Sequence, residues 1–132
     1  MKQINQKPAK KQSPRQQDGD FAELLARQYL EAQGLRFIQH QFRVPCGEID
    51  LVMQAEEELV FVEVRYRETS LYGDPEESIG YYKQRSLIRA AQMFQQRHPW
   101  TDYLDARFDV VGITGNKLNP KINWIENAFP VE

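Results

Sequence analysis

The stretch Gly47–Arg67, GEIDLVMQAEEELVFVEVRYR, constrains the fold more than any other. Two runs rich in β-branched residues flank an acidic turn, the pattern of a β-hairpin. Glu48–Gln54 forms one strand, Ala55–Glu58 the turn and Leu59–Arg67 the next strand. The turn centres on Glu56–Glu57, so cross-strand partners sum to 113 in residue number. Val52 then faces Phe61, Asp50 faces Glu63 and Glu48 faces Arg65, while an odd-length loop would break this register. Directly opposed side chains share one face of a sheet. Ile49, Leu51, Val60, Val62 and Val64 take the other face and read as core.

Asp50 opposite Glu63 needs a reason to exist. Two unit charges about 5 Å apart at an effective dielectric of 20 repel by roughly 3 kcal/mol. A divalent cation removes that repulsion, and magnesium suits a site offering only one or two carboxylates. Without a ligand, the same acids fit a sheet edge open to water, or a cross-strand ion pair with Arg65.

The chain has 132 residues, the size of one domain. Its single Cys46 excludes an internal disulfide and fits a reducing, cytoplasmic setting. Two distant histidines, His40 and His98, provide no zinc spacing. No apolar run approaches the roughly 20 residues of a membrane span. Residues 1–17 carry Lys2, Lys7, Lys10, Lys11 and Arg15 with no acid. They are polar, broken by two prolines, and expected to be a disordered basic tail. The folded domain is expected over 18–132. There 12 basic residues meet 19 acidic ones, giving −7, which argues against a general nucleic-acid coat protein.

A first helix starts near Asp18 and stops at Gly34, with Phe21, Leu24, Leu25, Tyr29 and Ala32 as its apolar face. Glu23 lies beside that face, where taken alone it fits a solvated carboxylate at a helix start. Leu35–Val44 reads as the strand before the hairpin. A loop over Glu68–Ile79 leads to a second helix, about Tyr81–Gln96, with Leu87, Ala90, Ala91 and Phe94 on one face. Strands over Arg107–Thr114 and Lys121–Glu126 follow. The order α-β-β-β-α-β-β predicts an α/β (α+β) sandwich around one mixed central sheet flanked by helices.

Gly47-Glu48-Ile49-Asp50-Leu51 followed by Val60-Phe61-Val62-Glu63-Val64-Arg65-Tyr66-Arg67 resembles the YraN-like family of uncharacterised bacterial proteins. Glu23-x-x-Ala26-x-x-Tyr29-Leu30, Tyr72-Gly73-x-Pro75-x-Glu77, Lys83-x-x-x-Leu87 with Ala91, and Arg107-Phe108-Asp109-Val110-Val111 extend the match over about 18–129. That family resembles a branch of the PD-(D/E)xK, restriction-endonuclease-like nucleases, and is similar to archaeal Holliday junction resolvases. The resemblance implies Mg²⁺ or Mn²⁺ held by Asp50 and Glu63, with Glu23 a third acid, and hydrolysis of DNA phosphodiesters, including branched DNA. Such nucleases usually carry Lys two residues after the second acid; here it is Arg65. Ile49 stands where Pro is expected and Ala22 where Gly is expected.

Arg65 stays charged throughout the usable pH range and can hold phosphate bidentately, whereas a lysine can shed a proton. Lys83 starts the sheet-facing stripe of the second helix, where it can reach the site or run past the core. Arg85 and Arg89 share an outer turn, and Lys83–Arg97 contains no acid. Arg65, Arg67, Lys83, Arg85 and Arg89 are the expected phosphate-contacting set, with an ordinary solvated helix face as the equal alternative for Arg85 and Arg89. That set suits a nucleic-acid partner and no membrane, and a symmetric homodimer would suit a junction. Two alternatives stand beside the endonuclease: a non-catalytic nucleic-acid-binding module on the same fold, and a metal-independent interaction protein. Cys46, the histidines, Trp100 and Trp124 read as packing or surface residues, and Asp109, outside the primary site, as either a structural acid paired with a nearby arginine or a contributor to the acidic centre.

Overall fold

The computed structural model describes residues 12–69, 71, 73–77 and 79–131. Its elements run α1 (Pro14–Ala32), β1 (Arg36–Val44), β2 (Gly47–Ala55), β3 (Glu58–Arg67), α2 (Tyr81–Arg97), a 3₁₀ turn, β4 (Asp105–Thr114) and β5 (Lys121–Phe129). The five strands form one sheet in sequence order. All neighbours are antiparallel except β3 and β4, which run parallel because α2 carries the chain back between them. The expected mixed-sheet architecture is therefore present, with β5 three residues longer than its sequence pattern indicated.

Both faces of the sheet are covered. On one, α2 buries Leu87, Ala90, Ala91 and Phe94 against Val52, Leu59, Phe61, Phe108 and Val110. Phe94 meets Phe42 and Phe61 edge-on, at centroid separations of 5.2 and 5.8 Å. On the other face, α1 buries Ala22, Ala26 and Leu30 against Leu51, Met53, Val60, Val62, Val111 and Ile113. Leu24, expected in the apolar face of α1, is instead exposed, and so is Ala32. Alanines at one-turn spacing let the helix sit close to the sheet, so the small residues mark the buried stripe and the larger Leu24 falls outside it. That rotation places Glu23 beside the buried stripe.

Helix α1 begins at Pro14, inside the stretch expected to be a tail. Ser13 caps it: its hydroxyl accepts from the Gln16 backbone N–H at 3.2 Å while the Gln16 side chain accepts from the Ser13 N–H at 3.0 Å. This reciprocal pair, with Pro at the first helical position, is a strong start signal. Residues 1–11, the rest of that stretch, lie outside the described residues. Among the described residues no helix is long and apolar enough to cross a membrane.

Candidate functional site

The β2–β3 hairpin has the expected register, Val52 opposite Phe61 and Gln54 opposite Leu59, closed by a turn at Glu56–Glu57. Pairing ends at Leu51 opposite Val62, one step short of Asp50 and Glu63. Beyond it the strands part. The Val64 N–H donates at 2.8 Å to Asp50 Oδ2 rather than to a strand carbonyl. Glu48, expected opposite Arg65, pairs with Arg43 of β1 at 3.2 Å. Ile49 joins the α2-side core while Leu51 and Met53 join the α1-side core, so the five residues expected on one face do not share it. Alternation fails at Asp50 because its side chain, not its backbone, meets β3.

The break brings the two acids together. The Asp50 carboxyl is pushed up to about 9, first by burial, then by its hydrogen bond to Glu63 and by that group's charge. The Val64 N–H opposes the rise and the charge of Glu23 adds to it. The protonated form of Asp50 is therefore favoured at neutral pH, where its carboxyl hydrogen-bonds to Glu63. Glu63 is 7% exposed. Lys83 of α2 approaches Glu63 Oε2 to 3.3 Å, an ion pair without hydrogen-bond alignment, which leaves this buried oxygen without a hydrogen-bond partner.

Glu23 comes from α1. Its Oε2 accepts from Gln41 Nε2 at 3.0 Å, and its Oε1 is buried without a hydrogen-bond partner. Burial raises its pKa above the ordinary range, the Gln41 bond pulls the other way, and Glu48 and Asp20 add to the rise. Among the described residues, no three Asp, Glu, His or Cys side chains converge as a complete metal cage. The pair Asp50–Glu63 is the inner core, with Glu23 in electrostatic reach of Asp50.

Arg65, two residues beyond Glu63, is half-buried, and its guanidinium makes no hydrogen bond or ion pair with any described residue. Arg67 donates to the Gly73 carbonyl at 3.4 Å, so the β3–α2 loop engages it. On α2, Arg85 is half-buried and Arg89 exposed. Contact with Glu63 sets Lys83 apart from these two. The position of α2 is fixed by Gly47 of β2: a Cβ there would lie 2.6 Å from the Ser86 backbone oxygen. Ser86 in turn donates to the Cys46 carbonyl at 2.8 Å.

The other acid singled out in sequence, Asp109, is wholly buried and fully satisfied by Arg107, Trp124 Nε1 and the Asn127 N–H. It is a structural knot joining β4 to β5. Cys46 lies 3.5 Å from Met93 sulfur and packs as expected. Gln41 and Ser86 carry no periodic or motif signal, and Gly47 was read only as part of the Gly47–Leu51 motif, not as a seat for α2. For Gly47 a backbone-proximity constraint was the one available hint.

Sheet order, the two covering helices and the opened hairpin together define a three-layer α/β protein consistent with a restriction-endonuclease-like core. The model of Uncharacterised protein family UPF0102 matches residues 22–113, and the chain belongs to that family. A UPF0102 protein of Nitrosococcus oceani is 48% identical over 114 residues, covering 86% of this chain and 92% of its own. The UPF0102 protein YraN of Escherichia fergusonii is 43% identical over 127 residues, covering 92% and 94%. YraN of Escherichia coli O17:K52:H18 is 44% identical over the same shares.

Proposed function

We propose that this chain is a divalent-cation-dependent phosphodiesterase acting on DNA. The observation that carries this is the Asp50–Glu63 pair, a half-buried and a buried carboxyl brought into hydrogen-bond contact at the point where the hairpin opens. Two carboxyls held together this far from water are unfavourable even with Lys83 beside Glu63, and a bound cation would offset that cost. The donor set fits magnesium or manganese: hard oxygens, two carboxylates, and further positions left to water and phosphate. Bound there, the cation would neutralise the acids, polarise phosphate oxygen and increase the acidity of a coordinated water.

The residues divide the remaining work. Asp50 and Glu63 would hold the ion. Glu23, with its unpartnered Oε1, would orient or deprotonate the attacking water. Arg65 and Lys83 would meet the phosphate, whose charge rises as the water oxygen bonds to phosphorus and the ester oxygen leaves. Arg65 cannot serve as a base. Lys83 supplies the site's only lysine contact to an inner carboxylate among the described residues. Arg67, Arg85 and Arg89 would hold the flanking backbone.

The test is cleavage of linear, nicked and four-way DNA with Mg²⁺ or Mn²⁺, comparing wild type with Asp50→Ala and Glu63→Ala. Metal-dependent cleavage lost in both variants is expected. Wild-type DNA binding without cleavage would favour the second reading, a non-catalytic nucleic-acid-binding module. Arg65 at the usual lysine position is the observation on that side.

A further inference from the structure

Gln41 lies in the middle of β1 with a φ of 48°, in the left-handed region that non-glycine residues seldom adopt. The two other described non-glycine residues of this kind have local reasons. Glu56 is in the hairpin turn, and Asn127 follows an irregularity in β5 where its N–H binds Asp109. Gln41 is in no turn. Pairing between β1 and β2 includes His40 opposite Leu51 and Phe42 opposite Ile49, and omits the pair between them, Gln41 and Asp50. The distortions on the two strands therefore face each other. Strain of this kind persists when the surroundings enforce it, and it clusters at functional sites.

The contacts of the side chain show what the distortion achieves. Gln41 Nε2 donates to Glu23 Oε2 at 3.0 Å, and Gln41 Oε1 accepts from Arg43 Nη2 at 3.2 Å. Arg43 Nε is itself held by Glu48 at 3.2 Å. Arg43 can only donate, so it fixes the amide with its NH₂ toward Glu23. Clefts of about 490 and 350 Å³ adjoin this end of α1, and Glu23 and Gln41 line both.

We infer that Gln41 is a positioning residue that clamps Glu23 Oε2 and leaves Oε1 for a ligand, making Glu23 the third carboxylate of the Asp50–Glu63 site. This rests on the cation-binding reading above. Magnesium and manganese sites commonly retain several waters. Glu23 therefore acts on a water of the ion without being a direct ligand; among the described residues no three acids converge as a cage.

The experiment is Mn²⁺ titration of the full chain in wild type, Glu23→Gln, Gln41→Ala and the Gln41→Ala/Glu23→Gln double variant, with melting temperatures measured alongside. Glu23→Gln is expected to weaken Mn²⁺ binding about tenfold. Gln41→Ala should match it, and the double variant should be no weaker than either single one, as for two residues acting as one unit. A fourth variant, Gln41→Gly, relieves the left-handed backbone and should lose the same affinity without a lower melting temperature. Gln41→Ala binding as wild type while Glu23→Gln is impaired would overturn the positioning role alone, as would additive losses in the double variant. Wild type binding no Mn²⁺, or Glu23→Gln binding like wild type, would overturn the role of Glu23 and with it that of Gln41.

Discussion

At the level of single residues, the protonated Asp50 makes the sharpest statement. Its folded pKa of about 9 stands far above its ordinary value of 3.8. Between those values the folded state keeps a proton that the unfolded chain has released. Stability from this group is therefore complete below pH 4 and is lost as pH rises toward 9, by at most about 1.4 kcal/mol per unit. Asp50→Asn imitates the protonated form and does not titrate. Without divalent cations, urea denaturation should show Asp50→Asn more stable than wild type by a margin that widens from pH 5 to pH 8. A constant margin would mean that Asp50 is ionised in the fold. The sequence placed this residue correctly beside Glu63 by counting from the turn. It could not show that the ladder stops at Leu51, because that depends on a side chain replacing a backbone acceptor for Val64 N–H.

Whole elements were legible where hydrophobic period was strong and unclear where small residues did the packing. All five strands and α2 are present where their patterns indicated, although β2 switches faces at Asp50. The buried face of α1 departs from its pattern, since Ala22 and Ala26 are weak hydrophobic signals and Leu24 a strong misleading one. Close approach also governs α2, whose seat on β2 depends on Gly47. Gly47→Ala would push a methyl group against the Ser86 carbonyl. Such overpacking should reduce stability by about 1–3 kcal/mol, measurable by denaturant unfolding. It should also weaken the Lys83–Glu63 contact, because Lys83 lies one turn before Ser86. The outer side of α2 makes a separate prediction. If Arg85 and Arg89 each neutralise one phosphate, replacing either by Ala should reduce the slope of log affinity for duplex DNA against log salt by about 0.9. An unchanged slope would make them ordinary surface residues.

At the scale of the molecule, the three layers converge on one place. The sheet supplies the Asp50–Glu63 pair, one covering helix supplies Glu23 within electrostatic reach of Asp50, and the other supplies Lys83, which ion-pairs with Glu63. A flat, fully paired sheet would keep the two helices' side chains apart; the parting of β2 from β3 lets both faces contribute. The body outside the first 17 residues has a net charge of −7, so a cation is more readily attracted to this centre than a phosphate is. Under the proposed reading, a cation held by Asp50 and Glu63 would displace the Asp50 proton. One proton released per ion makes apparent Mn²⁺ affinity rise about tenfold per pH unit while Asp50 remains below its pKa of about 9. Melting temperatures in fixed excess Mn²⁺ should therefore rise over the metal-free values by more at pH 8 than at pH 6. Asp50→Ala and Glu63→Ala should show little Mn²⁺ stabilisation at either pH. A wild-type shift equal at both pH values would mean that the ion binds elsewhere than at the Asp50 proton.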